Sequence, residues 1–146
     1  MKLNIRKLHP DAIIPSYATP GAAGLDLSAR IPHEIYLQPG VRYTCPTGIA
    51  IELTEGFEAQ VRPRSGIARK HGVTVLNSPG TIDCDFVGEI CVILINHGEQ
   101  AFKIEPNDRI AQLVIAPVIK AELVQAEALK DTERGEGAFG STGVAA

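Results

Sequence analysis

Glycine and proline punctuate this chain so often that no apolar run between them is long. Fourteen glycines and ten prolines fall among 146 residues. Such spacing suits many short strands and argues against long helices. Strands are expected at 3–8, 25–29, 34–37, 44–53, 57–62, 73–76, 81–86, 89–96, 100–104 and 110–118. Polar and apolar residues alternate most clearly in Phe57-Glu58-Ala59-Gln60-Val61, as in a half-buried strand. Cys91-Val92-Ile93-Leu94-Ile95 is apolar throughout and is expected to be buried on both faces. The one convincing helix is short: Ser65 can cap Gly66-Ile67-Ala68-Arg69-Lys70, and Gly72 can end it in a left-handed turn. Residues 121–130 have helix-favouring composition, yet an extended arm is expected there because Pro117 precedes them in a β-rich chain. The expected fold is all-β, one domain over 1–130 followed by a glycine-rich tail over 131–146.

Aromatics make up 5 % of the chain and Trp is absent, so Val, Ile, Leu and Ala must fill the core. A net charge of −3 argues against broad nucleic-acid binding, which needs a basic surface, but leaves room for a local anion pocket. The first residues lack the apolar run of a signal peptide, and no stretch approaches the roughly 18 apolar residues of a membrane span. Cys45, Cys84 and Cys91 have no metal-ligand spacing and read as reduced thiols of a cytoplasmic protein.

Five segments carry residues that could do chemistry. Pro20-Gly21-Ala22-Ala23-Gly24-Leu25-Asp26 sets an acid after a small-residue turn, where it could be structural or could face the waters of a hydrated Mg²⁺. In Arg62-Pro63-Arg64-Ser65-Gly66 a strand gives way to a helix start, whose free N–H groups, hydroxyl and arginine could form an anion site or an ordinary cap. Asn77-Ser78-Pro79-Gly80-Thr81-Ile82-Asp83-Cys84-Asp85-Phe86-Val87-Gly88-Glu89 reads as a β-hairpin. Asp83 falls where alternation points side chains inward, and an acid there must be paired, placed in a turn or used. Gln112 interrupts the apolar run after Asp108-Arg109, either as an amide bonded to backbone or as a ligand contact. In Arg134-Gly135-Glu136-Gly137-Ala138-Phe139-Gly140-Ser141-Thr142-Gly143, the mix of Arg, Phe and hydroxyls on a glycine-rich backbone could grip a ring and a phosphate, or be a plain disordered tail.

In order and spacing these segments resemble the five motifs of the trimeric dUTP diphosphatase (dUTPase) family, over about 20–143. The resemblance implies a jelly-roll-like β fold, a homotrimer with active sites between subunits, and Mg²⁺-assisted hydrolysis of dUTP to dUMP and diphosphate. It matches Asp83 to the general base and Asn77, with Gly80, Thr81 and Ile82, to the reader of uracil. Phe86 falls where the family usually has a Tyr against the deoxyribose. Arg64, Ser65, Gly66 and Gln112 match phosphate binders, and Asp26 matches the acid near the Mg²⁺ waters. Arg134, Ser141 and Thr142 match a γ-phosphate grip, and Phe139, with Gly140 beside it, matches a lid over the uracil. Phe86 loses a hydroxyl but keeps a ring, whereas Ala138 replaces a usual Gly and would be strained if its φ had to be positive.

Two other readings compete. A dCTP deaminase of related fold would need a Ser-Ser-containing arginine motif where this chain has Pro63-Arg64-Ser65-Gly66. A non-catalytic nucleotide-binding regulator is disfavoured by the presence of Asp83.

Overall fold

The computed structural model describes residues 1–141 and 143; Thr142 lies outside the described residues. Eleven strands and one helix run in the order β1 (Asn4–Lys7), β2 (Leu25–Ser28), β3 (Ile35–Leu37), β4 (Arg42–Pro46), β5 (Ile49–Glu52), β6 (Phe57–Arg62), α1 (Ser65–His71), β7 (Val73–Val75), β8 (Gly80–Ile82), β9 (Cys91–Asn96), β10 (Phe102–Ile104) and β11 (Arg109–Pro117). They form a jelly-roll-like all-β fold. A four-stranded sheet β2-β11-β6-β8 and a three-stranded sheet β4-β9-β7 are joined by the pairs β1-β5 and β10-β3, and every pairing is antiparallel.

The core takes the inward residues of both larger sheets. Leu27, Val61 and Leu113 come from one, and Val73, Val75, Val92 and Leu94 from the other. Cys45 joins them with no exposed surface. Burial, with the charges of Cys91 and Glu89 adding to it, pushes its thiol up to about 12, so it is a protonated packing group. Cys45, Cys84 and Cys91 are all free thiols.

Four expectations are corrected. The single strand expected at 44–53 is two, because the chain changes sheets at Gly48. Gly48 has φ +72°, and a Cβ there would lie 2.8 Å from that of Ala12. Its N–H donates to Glu89 Oε1 at 2.7 Å, while the buried Thr47 hydroxyl donates to the Ile90 carbonyl at 2.6 Å. The expected β-hairpin at 77–89 does not form. Strand β8 pairs with β6, whereas the flanking β7 and β9 pair with each other in the other sheet. The apolar run of β9 is not buried on both faces: Val92, Leu94 and Asn96 are buried, and Cys91, Ile93 and Ile95 only half so. The face away from the core has only partial cover within one chain. Finally, Ser65 does not cap α1. Arg64 is the N-cap residue, in extended conformation and without a side-chain cap bond, and Ser65 is the first helical residue. Gly72 does close the helix, at φ 67°.

Beyond Pro117 there is neither strand nor helix among the described residues. Residues 121–130 are exposed and irregular, so the helical propensity of that stretch is unrealised. Isolated helices of such length are marginal in water without an apolar face to pack.

Candidate active site

The outer face of the four-stranded sheet positions the polar side chains. Strand β11 lies between β2 and β6, with Gln112 opposite Asp26 on one side and Arg62 on the other. Leu25, Leu27 and Leu113 alternate with these residues and are buried, so the pleat turns Asp26 and Gln112 outward. A register shift between Arg109 and Ala111 adds one residue to β11. Without it, Arg109 and Gln112, three apart, would face opposite sides. With it, Arg109 sits opposite Ser28 and reaches the same face as Asp26 and Gln112.

These residues line a cleft of about 660 Å³ with Gly24, Ser65, Gly66, Lys70 and Arg64. Asp26 is its electrostatic centre. Its Oδ1 meets Arg64 Nε at 3.2 Å, and its Oδ2 accepts from Arg109 Nη1 at 2.9 Å. Arg64 Nη1 also donates to the Arg109 carbonyl at 3.0 Å. The carboxylate is 17 % exposed, whereas the Arg109 side chain is 55 % exposed. Gln112 is held on two sides. Its Nε2 donates to the Pro63 carbonyl at 2.9 Å, and a Cβ on Gly24 would come within 2.4 Å of its Oε1. The backbone-bonded alternative therefore holds for the Gln112 amide, though its second N–H stays available to a ligand. Ser65 and Gly66 are exposed at the cleft, and no side chain caps the helix start there. Those first amides can serve a ligand.

The β8 segment sits apart from this cleft. Strand β8 stops at Ile82, and a turn follows in which the Phe86 N–H donates to the Asp83 carbonyl at 3.2 Å. Asp83 is consequently exposed in a turn, not inward on a strand. Register places Ile82 opposite Ala59, and Gln112 opposite Arg62. Asp83 thus lies about four residues along the strands and two strands across from Gln112, roughly 16 Å away at about 3.3 Å per residue and 4.8 Å per strand. Asn77 leans on Gly80, where a Cβ would lie 3.1 Å from its Nδ2. Thr81 is exposed opposite Gln60. Phe86 folds back over Gly88, where a Cβ would lie 2.7 Å from its ring. A shallow groove of about 400 Å³, lined by Gln60, Arg62, Pro63, Ser78, Pro79 and Gln112, runs from the cleft toward the loop before β8.

The tail is a chain of turns. Arg134 Nε donates to the Gly137 carbonyl at 2.8 Å, the Ser141 N–H donates to the Ala138 carbonyl at 3.1 Å, and Gly140 has φ 90°. Positive φ falls on Phe139, at 45°, and not on Ala138, so the alanine is unstrained. Phe139 is fully exposed. The structure thus gathers Asp26, Arg64, Ser65, Gly66 and Gln112, and leaves Asn77, Asp83, Phe86 and the described tail residues outside that cleft.

Sequence reasoning assigned no part to Arg109 or Gly24. Arg109, a charge opening an apolar strand, was visible, but the bulge that aims it was not. Gly24 gave no signal beyond being one of several turn glycines.

A jelly-roll-like protein whose cleft presents two arginines, a glutamine and uncapped amides is suited to a polyanionic small molecule. A dUTPase family model matches residues 10–143. The deoxyuridine 5'-triphosphate nucleotidohydrolase of Beijerinckia indica is 60% identical over 141 residues, covering 94% of this chain and 88% of that one. Its counterpart in Nautilia profundicola is 56% identical over 143 residues, covering 98% and 99%. Among solved structures, a mutant dUTPase of Staphylococcus bacteriophage 80alpha with dUpNHpp superposes with a TM-score of 0.87 at 27% identity, over 98% of this chain and 99% of that one. The chain belongs to the dUTPase family, and is an enzyme of the dUTP diphosphatase class.

Proposed function

We propose that the chain hydrolyses dUTP to dUMP and diphosphate, keeping dUTP scarce and supplying dUMP for dTMP synthesis. The observation that carries this reading is the set of Asp26, Arg64, Arg109 and Gln112 on one face of one cleft, in a chain of this family. In this reading Arg64, Ser65, Gly66 and Gln112 hold the phosphate chain by charge and N–H donation. Asn77 reads the uracil edge, supported by Gly80, Thr81 and Ile82. The ring of Phe86 lies against the deoxyribose and leaves no room for a 2′-hydroxyl. Asp83 accepts the proton of a water attacking the α-phosphorus in line with the departing diphosphate, a task that needs only an unencumbered carboxylate. Its exposed position in a turn suits that task.

Among the described residues no three acidic, His or Cys side chains gather as a resident metal site, and both Asp26 oxygens are engaged by arginines. In this reading a hydrated Mg²⁺ would arrive on the triphosphate and Asp26 would meet it through its waters once an arginine moves aside. Bound there, it would neutralise phosphate charge.

The site is completed by other copies of the chain. Asp83 and the phosphate cleft are some 16 Å apart by strand geometry, too far to serve one α-phosphate from a single subunit. Ile119, Leu123, Val124 and Leu129 are 94, 94, 77 and 89 % exposed on the segment after β11 and gain cover in a homotrimer. Residues 131–146 would act as a lid apart from the 1–130 domain. Arg134, Ser141 and Thr142 would grip the γ-phosphate, with Phe139 and Gly140 over the uracil. The three free thiols fit a reducing cytoplasm. The test is diphosphate release from dUTP, UTP, dCTP and dTTP, with and without Mg²⁺. Release confined to dUTP and dependent on Mg²⁺ is expected; no release from dUTP, or equal release from UTP, overturns the reading.

A further inference from the structure

We infer that Arg109 is a positioning residue that occupies Asp26 in the empty cleft and gives it up when a cation-bearing triphosphate arrives. The inference rests on the phosphate cleft of the proposed function. Asp26 has two carboxylate oxygens, and each faces a guanidinium: Oδ1 lies 3.2 Å from Arg64 Nε, and Oδ2 accepts from Arg109 Nη1 at 2.9 Å. With 17 % of its side chain exposed, little of the carboxylate is open to the waters of an incoming cation. Withdrawal of one arginine would uncover Asp26 to the waters of a hydrated divalent ion.

Arg109 is the looser of the two. Its side chain is 55 % exposed against 30 % for Arg64. Arg64 is also tied by a second hydrogen bond to the Arg109 carbonyl at 3.0 Å. The pair of Arg109 with Asp26 is half open to solvent, the weak kind of ion pair that a bound polyanion can replace. When Arg109 leaves, its guanidinium stays within the cleft and gains phosphate oxygens, so the site exchanges one ion pair for two. The bulge makes this possible, since an unbulged β11 would aim Arg109 at the other face of the sheet.

The free site would then be blocked against stray cations and would open to one only when the phosphate chain comes with it. Two measurements on the full-length, nucleotide-free protein test this, and neither depends on dUTP being the substrate. The first titrates Mn²⁺ alone and follows paramagnetic broadening of the Leu27 and Gln112 backbone amides. Arg109→Gln should reach half-broadening at about fivefold lower Mn²⁺ than the unsubstituted protein, and Arg109→Lys, which keeps the charge, should not. Equal Mn²⁺ response in all three overturns the inference, as does an equal gain in both variants. The second uses Asp26→Asn, which frees both arginines. Inorganic diphosphate without metal should bind it about tenfold tighter by calorimetry. Unchanged or weaker diphosphate binding overturns the exchange even if Arg109→Gln does not fold.

Discussion

The cleft and the β8 segment lie on the same sheet yet are built in opposite ways. In the cleft the central polar side chains are held in place. Asp26 is clamped by two arginines, and Gln112 is fixed between Gly24 and Pro63. Around β8 the candidate residues are exposed: Asn77, Thr81, Asp83 and Phe86 reach solvent, and Phe139 does so on the tail. A group that must bind charge benefits from being held in advance, because no reorganisation is needed when the charge arrives. A carboxylate that must accept a proton from water, and a ring that must meet a sugar, are better left without protein partners. One half is set within the chain, and the other is left open to solvent.

The sharpest way to break this contrast is at Asp83. Its side chain is exposed, so Asp83→Asn should leave the melting temperature unchanged and the affinity for a non-hydrolysable dUTP analogue intact. Turnover should fall about 10³-fold, the usual weight of a lost general base. Diphosphate release beside calorimetric binding separates the two effects; a matching loss of affinity would move Asp83 into the binding half. Next in size is deletion of 134–146. None of the described residues among them belongs to the core, so thermal unfolding and the number of subunits by light scattering should not change. Loss of the lid should lower kcat/KM about 10²-fold, a typical cost of poorly held substrate. Normal kcat/KM in the shortened chain would mean that the tail is no part of the site.

How much of this was legible in the sequence follows the same divide. Strands with clear alternation or sharp punctuation were readable, and Phe57–Arg62 falls where its pattern places it. The cleft residues from distant segments converge because Asp26 and Gln112 lie within strands, and Arg64, Ser65 and Gly66 at a helix start, that local signals announce. Pairing was not legible. Residues 77–89 have hairpin chemistry, but whether β8 pairs with its own neighbour or crosses to β6 depends on contacts far away in sequence. A Gly48 that ends one strand and starts another cannot be told from a glycine inside a strand without knowing that Ala12 packs beside it. The bulge beside Ala111 has no glycine or proline to announce it, which is why Arg109 went unassigned.

Gly24→Ala probes the held half. The added Cβ would sit 2.4 Å from Gln112 Oε1, so the amide must swing off the Pro63 carbonyl. The obstacle is the end of a flexible side chain, so the fold should survive while kcat/KM falls about tenfold through misplacement of a phosphate-side donor. A variant that keeps full activity would show that Gln112 need not be held.

The smallest expected effect tests the open half by shape alone. Phe86 is 42 % exposed and its ring rests on Gly88, where even one added carbon would clash at 2.7 Å. The ring is therefore a wall standing on backbone, not a plug in the core, and Phe86→Ala should cost little stability. In the proposed reading, removing the wall would leave space for a 2′-hydroxyl. The ratio of kcat/KM for UTP to that for dUTP should rise about fivefold, toward the modest end of what an apolar pocket can discriminate. Gly88→Ala should have the same direction of effect, because its Cβ would push the ring away from its seat. If Phe86→Ala lowers both substrates equally, the ring serves general binding and the sugar is judged elsewhere. If Gly88→Ala alone shifts the ratio, the backbone under the ring, and not the ring itself, sets the gate.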